Sequence, residues 1–135
     1  MFADMMILLF RLTKSKTLPI VWFTLILILL CLPGFTLPKS ALFSGIEIDK
    51  FVHIFLFGVL VLLWNAHYTQ KNPGIQFLIN TFFMVFLITT AWGISMEFVQ
   101  FYFIPKRDFD VADITADLIG SSLAYGFSNV YFLKK

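Results

Sequence analysis

The chain has 135 residues, 59% of them hydrophobic and only 13% charged, whereas soluble domains run near ~25% charged and ~45–50% apolar, so the composition is that of a membrane protein. The formal net charge of +2 comes without any cluster of Lys and Arg dense enough to track phosphates, which excludes a nucleic-acid partner. The single cysteine, Cys31, lies in an apolar run and supports neither a disulfide framework nor a thiolate metal site. No phosphate-loop, dinucleotide-binding, zinc-protease or nucleophile-elbow pattern occurs. No repeat or low-complexity linker divides the chain, so a single membrane domain is expected over 18–133, preceded by a cytoplasmic or interfacial segment, 1–17.

A bilayer core of ~30 Å takes ~20 helical residues, and the sequence offers four such spans. The first, about 18–35, is closed by Pro33-Gly34 and Pro38. Arg11, Lys14 and Lys16 ahead of it would also suit a signal peptide, but "LPGFTLPKSA" lacks a small-x-small cleavage site. The second, about 51–68, follows Asp49-Lys50 and stops before the turn signal "TQKNPG". The third, about 75–103, carries Glu97 near its end. In the fourth, about 111–133, the uncharged part 118–133 is 16 residues, ~24 Å at ~1.5 Å per residue and too short to cross. Extending it back to Val111 draws Asp113 and Asp117 to headgroup level or below. The expected fold is therefore an all-α, four-helix transmembrane bundle.

Lys and Arg set orientation. A cytoplasmic N-terminus leaves six of them inside (Arg11, Lys14, Lys16, Lys71, Lys134 and Lys135) and four outside (Lys39, Lys50, Lys106 and Arg107). Both termini are thus expected in the cytoplasm. Trp22, Trp64 and Trp92 are expected to contact lipid or the interface, and His67 to sit at the interface.

With that topology the start of span two, the end of span three and the start of span four share the outer face. Asp49 and His53 are four apart and so lie on one helical face, as do Glu97 with Gln100 and Asp113 with Asp117. A carboxylate facing lipid costs ~2.5–3.5 kcal/mol at the bilayer centre. The cheaper arrangement turns Glu97, Asp117 and His53 inward to pair with Arg107 or Lys50. Ala112, Ala116, Gly120, Ala124 and Ser128 form a ridge of small residues on which another helix can approach closely. The expectation is a polar pocket opening outward and formed by Asp49, Lys50, His53, Glu97, Gln100, Arg107, Asp113 and Asp117. Structural roles compete with this: Asp110 and Asp113 suit a helix N-cap and first turn, Asp49 another N-cap, and Lys50 a snorkelling anchor. One His among scattered carboxylates defines no coordination signature, so neither a metal nor a cofactor is assigned.

The ordered stretches "DKFVHIFLFGVL" (49–60), "GISMEFVQ" (93–100) and "IPKRDFDVADITADLIGSSLAYG" (104–126) resemble the VanZ-like family of small bacterial membrane proteins. The shared pattern is D-K-x-x-H, E-x-x-Q and P-x-R-x-x-D-x-x-D, and it carries over onto Asp49, Lys50, His53, Glu97, Gln100, Arg107 and Asp113. The resemblance implies an integral protein of the bacterial cytoplasmic membrane and cell envelope. The family's founding member is associated with low-level resistance to teicoplanin, a glycopeptide antibiotic. Where this chain has Asp117, family members often carry Asn. The extra carboxylate implies either that Arg107 is drawn closer or that one acid stays protonated.

Three functions compete. The first is a non-catalytic envelope protein whose pocket binds or shields a cell-wall precursor, a lipid head group or a glycopeptide antibiotic, with Lys50, Lys106 and Arg107 meeting phosphate or carboxylate groups. The second is an enzyme acting on a lipid-linked or peptidyl substrate, with His53 and Glu97 sharing acid–base work and Arg107 stabilising negative charge. The third is a proton or ion conduit, for which the inner halves of the spans offer few relay groups. The balance favours binding over catalysis. Membrane lipid is the expected surroundings, and the oligomeric state is not readable from the sequence.

Overall fold

The computed structural model describes residues 1–33 and 48–134. Among them the chain is entirely helical, without a strand: α1 (Phe2–Leu12), α2 (Thr17–Leu30), α3 (Ile48–Thr69), α4 (Ile75–Phe103) and α5 (Val111–Phe132). Two of these, α3 and α4, are long and apolar enough to cross a membrane.

Proline and capping chemistry set the boundaries. α4 starts directly after Pro73-Gly74 and stops at Ile104, which is extended (φ −103, ψ 121) because the ring of Pro105 disfavours helical geometry in the residue before it. Asp110 opens α5 as its N-cap, its side chain accepting from the Ala112 N–H at 2.8 Å. α2 departs from expectation. A helical run over 18–35 was anticipated, but the helix ends at Leu30 with Cys31 as its cap, because Pro33 cannot continue it. Its 14 residues span ~21 Å. Gly34, Phe35, Pro38, Lys39 and Lys135, all used in the expectations above, lie outside the described residues.

The most extensive helix contact joins α3 and α5. Two glycines permit it: Gly58 lies against the backbone of Gly120, and a Cβ on Gly120 would stand 2.2 Å from the Ile54 carbonyl oxygen. The small-residue ridge on α5 is real from Ala116 through Gly120 and Ala124 to Ser128, all buried, while Ala112 is exposed. One core cluster gathers Ile26, Leu30, Leu56, Phe57, Leu60 and Met96, and a second gathers Ala66, Leu78, Phe82 and Phe132.

The tryptophans take part in this packing, each only partly buried. Trp92 stacks on Phe57 at 5.3 Å between centroids, Trp64 packs against the first cluster, and the Trp22 indole donates to the Leu56 carbonyl at 3.0 Å. A buried indole N–H needs such a partner. His67 is buried. Its Nδ1 donates to the Thr13 carbonyl at 2.8 Å, while the Gln70 amide donates to the Thr13 hydroxyl at 2.7 Å. These two bonds tie the α1–α2 turn to the end of α3.

Polarity is distributed inside out. His53, Asn65, Glu97, Gln100, Asp113, Asp117, Ser121 and Ser128 are buried, while Phe51, Phe55, Ile88, Phe103, Leu123 and Val130 are exposed. A water-soluble fold does the reverse.

Candidate functional site

The ionisable residues meet where α3 and α5 begin and α4 approaches its end. Four of them are almost fully buried: His53 at 3% exposure, Glu97 at 2%, Asp113 at 4% and Asp117 at 3%. The helix starts explain the gathering. Asp49, Lys50 and His53 share the first turns of α3, and Asp113 and Asp117 occupy successive turns of α5. The close α3–α5 contact then puts the two sets face to face.

Lys50 is the central cation. Its ammonium bonds to Asp113 Oδ1 and to Asp110 Oδ2, and lies 3.8 Å from Asp49 Oδ2. His53 pairs one turn deeper, its Nδ1 2.8 Å from Asp117 Oδ1. A carboxylate accepts, so the ring carries its proton on Nδ1 and turns Nε2 toward Asp113 Oδ2 at 3.9 Å and Asp49 Oδ1 at 4.0 Å. Gly93 on α4 makes room for this pair, since a Cβ there would stand 2.8 Å from Asp117 Oδ2. Asp117 thus pairs with His53, while Arg107 reaches the Leu32 carbonyl instead.

Glu97 has a different partner from the one anticipated. Neither Arg107 nor Lys50 pairs with it. Its Oε2 accepts the Asp110 backbone N–H at 2.9 Å. This is the bond a glutamate in a capping box normally supplies from within the helix. Here Asp113, three residues after the cap, is committed to Lys50, and Glu97 reaches across from α4 instead.

Gln100 and Arg107 leave the cluster altogether. The Gln100 amide donates to the Leu30 carbonyl at 2.8 Å, and Arg107 Nε donates to the Leu32 carbonyl at 3.4 Å. They satisfy carbonyls at the C-terminal end of α2, which the helix leaves unpaired and which carries partial negative charge. So six of the eight expected residues converge, joined by Asp110, and two hold α2 in place. Asp110 fulfils the capping role weighed for it and adds an ion pair to Lys50.

The cluster is held together by its own pairing, with Asp49 and Asp110 left about half exposed at its rim. Three cavities described by the structure lie elsewhere. One of about 600 Å³ sits at the opposite end of the bundle beside Arg11, Lys14 and Gln70. The second, about 410 Å³, is apolar and lies between α2, α3 and α4 around Trp64 and Trp92. The third, about 420 Å³, is a groove along Gly58 and Gly120.

No family model, curated protein or solved structure matches the chain. The chemistry must be read from the site itself. Five acids (Asp49, Glu97, Asp110, Asp113 and Asp117) face two basic groups, Lys50 and His53. An excess of carboxylate oxygens with one imidazole nitrogen suits a bound cation or a proton-exchanging group.

The ion pair at the rim has a pH signature. The Lys50 ammonium, hydrogen-bonded to Asp110, holds that carboxyl below the usual carboxylate range, with the Ala112 N–H assisting and partial burial opposing. A depressed native value means the stabilisation is complete above the unfolded pKa of ~3.9 and fades as pH drops through the lower native value. Asp110 is nearly half exposed, so solvent screening keeps the pair to ~1 kcal/mol or less. Asp110→Asn retains the cap but not the charge. In thermal unfolding scans it should be less stable than the wild type at neutral pH, with the difference closing below pH ~4.

Proposed function

We propose that the chain is an integral membrane protein of the bacterial cell envelope, similar to the VanZ-like family. In this reading it has four spans and cytoplasmic ends, and its charged cluster at the outer face binds or shields the head group of a lipid-linked envelope molecule such as a cell-wall precursor. Glycopeptide resistance of the teicoplanin type is the phenotype the resemblance suggests. The observation that carries the reading is the burial of His53, Glu97, Asp113 and Asp117 from three helices at one end of a bundle whose outer surface is apolar. Buried ionisable groups in membrane segments mark functional sites and are costly to keep otherwise. The ordered pattern of Asp49, Lys50, His53, Glu97, Gln100, Arg107 and Asp113 supports the family. The exposed Phe51, Phe55, Phe101 and Phe103 support a lipid surrounding for the cluster.

A second reading, acid–base catalysis on such a molecule, is favoured by one contact. The 2.8 Å bond from His53 to Asp117 fixes a tautomer whose Nε2 is free to take a proton, the arrangement a general base requires.

One substitution series separates the readings, using protein in lipid nanodiscs and a labelled undecaprenyl-linked precursor. Under the binding reading, His53→Ala, Glu97→Gln and Asp113→Asn weaken precursor binding by graded amounts between ~5- and ~150-fold, as losing a charged contact of ~1–3 kcal/mol would. Equal and complete loss of a chemical turnover in all three favours catalysis. Normal binding by every variant that reaches the membrane overturns both. A labelling scan tests the topology: a cysteine at position 106 should react from outside the cell, and reaction only from the cytoplasm would invert the orientation.

A further inference from the structure

We infer that Asp49, His53 and Asp113 form a divalent-cation site, with Asp117 as the residue that orients its histidine. The inference rests on side-chain geometry alone and stands whether or not a lipid-linked ligand binds. One oxygen of Asp49, one of Asp113 and one nitrogen of His53 all lie within 4.8 Å of one another. An acidic group of this kind would mean little by itself. The histidine gives it meaning.

His53 is buried, and its Nδ1 is committed to Asp117 Oδ1 at 2.8 Å. Its Nε2 makes no hydrogen bond among the described residues and points at two carboxylate oxygens, 3.9 and 4.0 Å away. A proton on Nε2 does not fill that gap, since N–H···O bonds run ~2.7–3.2 Å. A metal ion does. With ~2.0–2.2 Å to each ligand, tetrahedral coordination sets ligand atoms ~3.3–3.6 Å apart, so the three atoms close round an ion by drawing roughly 0.5–1 Å nearer to one another.

Each carboxylate is divided between two tasks. Asp113 gives Oδ1 to Lys50 and turns Oδ2 to His53, while Asp49 keeps Oδ2 near Lys50 and Oδ1 near His53. Lys50 thus holds one oxygen of each acid, while the other faces the imidazole. The Asp117–His53 contact is the support metal-binding histidines ordinarily have, a carboxylate on the ring nitrogen away from the metal. One imidazole with two carboxylates suits a borderline first-row ion such as zinc, leaving a coordination position for water or a ligand's oxygen. Glu97 takes no part, being spent on the Asp110 N–H.

The test uses tag-free, full-length protein in detergent, stripped with chelator and titrated with Zn²⁺ alone. The expected result is about one zinc per chain at micromolar affinity or tighter. Asp49→Asn, at an exposed helix start where folding is undisturbed, should weaken binding at least ~10-fold. Asp113→Asn should weaken it further, and Asp117→Asn by the ~10–100-fold typical of an orienting partner. Asp4→Asn, remote from the site, should change nothing. Should the buried variants fail to fold, Co²⁺ in the wild type decides. Visible d–d bands of four- or five-coordinate cobalt, with a paramagnetically shifted imidazole N–H, support the site. A spectrum of hydrated cobalt overturns it, as would less than a tenth of a zinc per chain or zinc binding unchanged in Asp49→Asn.

Discussion

Gly120→Ala is expected to destabilise the fold by ~3 kcal/mol or more, the upper end of overpacking costs, although it adds a single methyl group to a helix. The added Cβ would lie 2.2 Å from the Ile54 carbonyl oxygen and 2.9 Å from its carbonyl carbon and Cα. All three are backbone atoms of α3, so no side chain can swing aside, and the two helices must separate. Separation also pulls Lys50 and His53 of α3 away from Asp113 and Asp117 of α5, stranding buried charges. Gly126→Ala on the same helix is the control. Nothing lies within 4 Å of the added carbon, and helix propensity favours Ala over Gly by up to ~1 kcal/mol. Unfolding of both variants in matched detergent checks the pair, and equal stabilities would mean that α3 and α5 do not meet at these glycines.

His53→Ala should cost ~3–5 kcal/mol, the penalty for removing one partner of a buried pair and leaving the other charge uncompensated. Asp117 would then lie buried between α3 and Gly93 without the ring N–H that satisfies its carboxylate. Asp117→Asn should cost much less, because the Asn side-chain oxygen still accepts from Nδ1. The double variant His53→Ala with Asp117→Ala should be more stable than the sum of the losses in His53→Ala and Asp117→Ala alone predicts, by ~1 kcal/mol or more, since no buried carboxylate is then left without its donor. Additive losses in that cycle would show that the two side chains do not interact.

Much of the fold was legible because punctuation in the chain is local. Pro73-Gly74 and Pro105 bracket α4, and the anticipated 75–103 coincides with Ile75–Phe103. Asp49 and Lys50, expected just ahead of the second span, lie within α3 and make their contacts from it. The end of α2 was misjudged because hydropathy continues past Leu30 while the backbone cannot follow it through Pro33.

Faces were legible as well. Spacings of three and four placed His53, Glu97, Asp113 and Asp117 inward, where they are found. Choice of partner was not. Nothing in the sequence tells Lys50 from Arg107 as the cation for Asp113. The difference arises because Gly120 brings α3, and Lys50 with it, within reach of α5, while Arg107 lies beside the end of α2. The roles of Trp22, His67 and Thr13 were hidden for the same reason, since each depends on a contact between residues far apart in the chain.

The account stands on one contact above the others, the meeting of His53 with Asp117 inside the bundle. Solid-state NMR of the protein in lipid bilayers, with ¹⁵N-labelled histidine and ¹³C-labelled aspartate, observes it directly. The account predicts an Nδ1-protonated ring on His53, with dipolar coupling to the Asp117 carboxyl across the 2.8 Å bond that disappears in Asp117→Ala. A ring protonated only on Nε2, or one with no coupling to any aspartate carboxyl, would contradict it.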